Sequence, residues 1–111
     1  MTKKYLLEFI GKIEKSLSTI FHGRNKINKK EIGEYAIILD KVTQYLSNYD
    51  TGVTLPKGSK VVFCTESCKL NRLLSSLRRG DVTRIDYPMF QRAISSITIM
   101  RGVVEEKNYG R

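Results

Sequence analysis

Apolar residues recur at intervals of three and four along most of the chain, and this spacing predicts four amphipathic helices. The predicted helices cover about 3–21, 28–49, 60–79 and 87–101. Residues 102–111 show no comparable pattern, so they are predicted to form a tail that frays beyond about Glu105. Since 111 residues is about the length of one domain, we expect a single all-α domain that pairs its helices as two hairpins.

The start of the second helix carries the clearest boundary signal in the chain. Asn28 can cap this helix, and Glu31 stands three positions later, which is the spacing of a capping box. Ile27 and Ile32 occupy the two positions of a hydrophobic staple. Gly33 is the one poor helix former nearby, at a cost of about 1 kcal/mol relative to alanine.

Boundary residues also separate the third and fourth helices. Gly80 follows two arginines, and glycine just past a helix end adopts the left-handed conformation that terminates it. Asp86 or Tyr87 is expected to cap the fourth helix, because Pro88 then falls in the first turn, where its missing N–H is no loss. The connection between the two helices is longer than the turn of a helix-turn-helix motif, so an ordinary helical hairpin is the better interpretation.

The stretch 60–65 fits two interpretations. Its β-branched and aromatic residues are typical of a strand, and a second strand at 82–87 would then give an α+β fold. Read as a helix, the same stretch continues into a pattern that places Phe63, Ser67 and Leu70 on one face. Two isolated parallel strands make a poor sheet, and we therefore favour the helix.

The chain is strongly basic. Its 20 lysine and arginine residues outnumber 11 aspartate and glutamate residues, which gives a formal net charge of +9 and a pI near 9.7. Such a field attracts polyanions, namely nucleic acid, acidic membrane surfaces or acidic proteins. The charge therefore narrows the class of partner and leaves the mechanism open.

Arginine is concentrated in the second half of the chain. Arg24 is the only arginine before Pro56, whereas seven follow it. Because the planar guanidinium binds phosphate or carboxylate through two hydrogen bonds, this concentration predicts a contact surface on the third and fourth helices. The candidate contact residues are Lys69, Arg72, Arg78, Arg79, Arg84 and Arg92. The outward polar positions expected on the fourth helix are Gln91, Arg92, Ser95 and Ser96.

No pattern in the sequence fixes a catalytic chemistry. His22 is the only histidine and stands at a predicted helix end, and no glycine-rich phosphate loop occurs. Cys64 and Cys68 could supply two metal ligands, but a closed zinc site requires four. We interpret both cysteines as small buried apolar residues, and we expect no enzyme activity, no cofactor and no bound metal.

Three functional hypotheses follow. The leading one is nucleic-acid binding, to DNA or RNA, with little sequence specificity and through phosphate contacts. The alternative is a regulatory or assembly subunit that docks its arginine-rich face on an acidic protein, with tyrosines and an exposed Ile99 as anchors. A third takes the first helix as an amphipathic element on a membrane surface.

The expected location of the protein is the cytoplasm. Two cysteines are too few for a secreted disulfide scaffold, and no secretion signal is evident. No apolar run approaches the roughly 20 residues of a membrane span. Whether the protein forms a homo-oligomer stays open.

Overall fold

The computed structural model describes residues 2–23, 27–47, 58–81 and 84–105, and four helices account for most of them. They are α1 (Lys3–Gly23), α2 (Lys29–Ser47), α3 (Ser59–Arg79) and α4 (Tyr87–Val104). The all-α, four-helix prediction is confirmed. Residues 60–65 lie in α3 and the described ranges contain no strand, so the α+β alternative is wrong. The predicted continuation of the second helix over 48–49 and the tail beyond 105 lie outside the described residues.

The apolar faces of the four helices meet in one core. The backbones pack most closely between α2 and α3, between α3 and α4, and between α1 and α4. α1 and α2 meet through side chains, including an edge-to-face contact between the rings of Phe9 and Tyr35 at 6.1 Å. The largest fully buried side chains are Leu6, Ile10, Ile13, Leu17, Ile32, Leu39, Leu46, Phe63, Leu70, Leu74, Leu77 and Ile97. The core therefore draws on all four helices, and α1, α2 and α3 supply most of these side chains.

α4 continues three residues beyond its predicted end. Gly102, Val103 and Val104 are helical and buried, so the prediction of a tail from residue 102 is wrong for these three positions. Arg101-Gly102 resembles a helix stop, but burying a valine side chain is worth about 1.5–3 kcal/mol and exceeds the cost of one glycine in a helix. Arg101 itself ties α4 to α1, because its two terminal nitrogens donate to Glu14 at 2.6 and 3.4 Å.

At the start of α2, Asn28 caps the helix as predicted, but Glu31 bonds to other partners than a capping box requires. The Oδ1 atom of Asn28 accepts a hydrogen bond from the backbone N–H of Glu31 at 3.1 Å, as expected of a helix cap. The carboxylate of Glu31 accepts instead from the hydroxyls of Ser16 at 2.7 Å and Tyr35 at 2.8 Å. These two bonds lower the pKa of Glu31, Ser16 having the larger effect, and the bond from Ser16 joins the start of α2 to α1.

At the boundary between α3 and α4, the structure has the capping residues that the sequence predicted. Gly80 has a φ of 81°, in the left-handed region, and its N–H donates to the carbonyl of Leu77. The Oδ1 atom of Asp86 accepts from the backbone N–H of Met89 at 2.9 Å, which identifies Asp86 as the cap of α4. These two residues fix where α3 stops and where α4 begins.

None of the described helices has both the length and the apolar content that crossing a membrane requires. The apolar face of α1 is turned into the core, where Leu6, Phe9 and Ile13 are buried. A membrane-surface helix would need that face for insertion, so the third functional hypothesis loses its structural basis.

Candidate functional site

An open groove runs between α3 and α4. Its volume is about 1140 Å³, which is above the roughly 300–1,000 Å³ of a small-molecule pocket. α3 contributes Glu66, Lys69, Leu70, Arg72, Leu73 and Ser76, whereas α4 contributes the residues from Tyr87 to Ser96 together with Ile99. We call this feature the α3–α4 groove, and its size suits an extended ligand.

Three of the six predicted contact residues line the α3–α4 groove. Lys69 and Arg72 come from α3 and Arg92 from α4, and all three are exposed. Neither arginine forms an ion pair with another described residue. The Nζ atom of Lys69 lies 3.1 Å from the Oε2 atom of Glu66, so its charge is partly balanced. A ligand in the groove would thus meet cations from both helices.

The other three predicted contact residues lie elsewhere. The aliphatic stem of Arg78 packs on α2 at Gly33. A Cβ atom added to Gly33 would come within 2.9 Å of the Cδ atom of Arg78. The Nε atom of Arg79 donates to Asp81 at 2.8 Å. Arg84 is exposed in the connection that leads to α4 and does not line the groove. The six residues therefore do not form one surface.

The lining of the α3–α4 groove is partly apolar. Phe90 and Ile94 belong to the apolar spacing that predicts the fourth helix, and Ile99 was expected to be exposed; all three are half-buried and line the groove. On α4, Ala93 and Ile97 are among the side chains that are buried in the core. The apolar residues of α4 form a stripe wider than one helical face, and this width was the sequence signal for an apolar surface outside the core.

Glu66 and Ser96 form a buried polar link at the groove. Ser96 donates from Oγ to the Oε1 atom of Glu66 at 3.0 Å, and the two residues are only 4% and 8% exposed. The expectation that Ser96 faces outward is therefore wrong, because its hydroxyl satisfies a buried carboxylate on α3. This bond ties the two walls of the groove together.

A cluster of aromatic rings adjoins the groove at the start of α4. Phe21 and Phe90 stack with their centroids 4.4 Å apart and their planes 8° apart, and the His22 ring meets both edge-on. Tyr87 lies 6.3 Å from Phe21 and is 60% exposed. Its hydroxyl oxygen accepts a hydrogen bond from Gln91 at 2.9 Å. Tyr87 and Phe90 line the α3–α4 groove, which therefore has an aromatic region as well as cations.

The cysteines do not form a second site. Cys64 is half-buried, with its Sγ atom 3.9 Å from the carbonyl oxygen of Thr43, whereas Cys68 is exposed. The prediction that both thiols are buried is thus wrong for Cys68, which lies on the outer side of α3. Among the described residues, no group of three or more histidine, cysteine, aspartate or glutamate side chains is placed to hold a metal ion.

Comparisons of the chain with protein-family models, curated proteins and solved structures find no match. The properties of the α3–α4 groove that bear on function are its shape, its charge and its side chains. Those properties are cations on both walls, a partly apolar lining and an exposed aromatic ring.

Proposed function

We propose that the protein binds nucleic acid, with little sequence specificity, through the α3–α4 groove. The observation that carries this proposal is the position of Lys69, Arg72 and Arg92 on the two walls of one open groove. Arginine pairs well with phosphate because its planar fork donates two parallel hydrogen bonds. Two exposed guanidinium groups without a carboxylate partner in the described chain are thus available for phosphate.

The charge outside the groove supports the same proposal. The net charge is +9, and the three groove cations account for only part of it, so the rest of the chain is also positively charged. A field of this sign raises the association rate with a polyanion and strengthens binding at low salt, because each phosphate contact releases condensed counterions. Phosphate contacts position a nucleic acid without reading its sequence, which accounts for the low specificity that we propose.

A salt titration tests this function. The affinity for a DNA or RNA oligonucleotide should fall linearly on a log–log plot against salt concentration. The double substitution Arg72→Gln and Arg92→Gln should reduce the slope by about 1.4 on a single strand or about 1.8 on a duplex, since two phosphate contacts are lost. The charge-matched control is Lys4→Gln with Lys41→Gln, two exposed lysines outside the groove.

Each result of this titration has a definite meaning. A smaller slope in the arginine variant than in the lysine variant supports the groove as the binding site. Equal slopes in the two variants would show that only the total charge matters, and would contradict the assignment to the groove. Binding that does not depend on salt, or no binding, would contradict nucleic-acid binding itself.

One observation favours a second candidate, an acidic protein partner. The lining of the groove includes Leu73, Ile94 and Ile99, which are half-buried hydrophobic residues. An amphipathic helix with acidic flanks could place its apolar face on this lining and its carboxylates near the arginines. A partner retained from nuclease-treated lysate, and lost with the double arginine variant but not with the lysine control, would favour this candidate over nucleic acid.

A further inference from the structure

We infer that the ligand of the α3–α4 groove is a single strand of nucleic acid, with an unpaired base stacked on the ring of Tyr87. This inference rests on the proposed function and specifies the form of the polymer. It begins from the coexistence of cations, apolar side chains and an exposed aromatic ring in one groove.

The apolar lining distinguishes a single strand from a duplex. A double helix encloses the faces of its bases and presents phosphates outward, so a duplex lying in the groove would place charged phosphates against Leu73, Ile94 and Ile99. A single strand exposes both its phosphates and the faces of its bases. It can therefore satisfy the cations and cover the apolar surface at the same time.

Tyr87 offers a ring that is both exposed and held in place. Tyr87 is 60% exposed, and its hydroxyl oxygen accepts a hydrogen bond from Gln91 at 2.9 Å. Phe21 lies 6.3 Å away with its plane tilted by 38°, and Phe21 is itself stacked on Phe90. A ring supported in this way loses little conformational freedom when a base stacks on it.

The position of Tyr87 relative to the cations fits a strand that runs along the groove. Tyr87 and Arg92 are five positions apart on α4, a rise of about 7.5 Å along the helix. Arg72 and Lys69 line the same groove from α3. A base at Tyr87 would thus be followed by phosphates that pass between the cations of the two helices.

A tryptophan placed at this position reports stacking directly, because the chain contains no tryptophan. The variants are Tyr87→Trp and, as a control, Tyr5→Trp. Tyr5 is 45% exposed and stacked on Phe9, outside the groove and about 24 Å from Phe21 along α1. The probes are a mixed-sequence single-stranded DNA of about 16 nucleotides and its duplex.

The inference predicts quenching of the tryptophan at position 87 by the single strand but not by the duplex. The control at position 5 should not be quenched by either probe. The substitution Tyr87→Ala should weaken binding of the single strand roughly 5- to 100-fold and leave duplex affinity within about twofold. Tyr87→Phe should keep most of the single-strand affinity, because it retains the ring.

Equal affinity for the two probes, or a Tyr87→Ala variant that binds the single strand as well as the wild type, would overturn this inference. The proposed function would survive that result if binding still depended on salt and on Arg72 and Arg92. No binding of either probe, nor of the RNA strand of the same sequence, would overturn the proposed function and the inference together, and would leave an acidic protein as the partner to test.

Discussion

Ser96 on α4 donates a hydrogen bond from Oγ to the Oε1 atom of Glu66 on α3 at 3.0 Å, and both residues are buried. The second oxygen of Glu66 accepts from the Nζ atom of Lys69 at 3.1 Å. A buried carboxylate that loses a partner keeps its desolvation cost, so this contact matters for stability. It also joins the two helices whose separation defines the α3–α4 groove.

The first prediction concerns this link. Replacing Ser96 by alanine should lower the free energy of unfolding by about 1.5–3 kcal/mol, because a hydrogen bond to a charged, buried group is lost. Ser95→Ala is the matched control, since Ser95 is the exposed neighbour on the same helix and its loss should change stability by no more than about 0.5 kcal/mol. Urea denaturation measures both. Equal stabilities of the two variants would show that the buried hydrogen bond contributes little.

The second prediction concerns the end of α3. Gly80 has a φ of 81°, so Gly80→Ala should lower the free energy of unfolding by about 1–2 kcal/mol through backbone strain. Gly11→Ala, inside α1, should instead raise it by up to about 1 kcal/mol, because a Cβ atom there would meet no atom within 4 Å. Thermal or urea unfolding separates the two. Shifts of the same sign in both variants would contradict the assigned end of α3.

The third prediction concerns pH. Hydrogen bonds from Ser16 and Tyr35 lower the pKa of Glu31, so the unfolded chain binds this proton more tightly than the folded chain does. The resulting stability is present above the ordinary glutamate pKa of about 4.3 and is lost as the pH falls below it. Glu31→Gln should therefore lose less stability than the wild type between about pH 5 and pH 3.

Tyr35 gives the opposite dependence at alkaline pH. Burial raises its pKa, so the folded chain holds the phenol proton more tightly, and stability declines as the pH rises above about 10. Tyr35→Phe should remove that part of the decline. Urea midpoints of Glu31→Gln measured at acid pH, and of Tyr35→Phe measured at alkaline pH, test these two predictions. Glu8→Gln serves as the control, because Glu8 is exposed. An acid dependence in Glu31→Gln equal to that of the wild type would contradict the assigned hydrogen bonds.

The helices themselves could be predicted from the sequence because their apolar spacing is regular. Periodicity located α1, α2 and α3, and the capping residues Asn28, Gly80 and Asp86 behaved as their chemistry requires. The end of α4 was missed because local signals at Arg101-Gly102 favour a stop, whereas burial of the next two valines decides the outcome. Tertiary packing outweighed a local preference there.

The site was predictable in composition but not in arrangement. The clustering of arginines in the second half indicated a contact surface on α3 and α4, but periodicity does not show that Arg72 and Arg92 share a groove while Arg78 crosses α2. The Ser96–Glu66 bond joins residues 30 positions apart. Such contacts depend on how helices pack against each other, which a single sequence does not display.

The most direct test of the central claim is a backbone amide NMR titration of the full chain with the single-stranded DNA. We predict that the largest chemical-shift changes occur in the α3–α4 groove, between residues 66 and 76 of α3 and between residues 87 and 99 of α4. α2 should change little on its face away from α3. Changes centred on α1 or α2, or none at saturating DNA, would contradict the account.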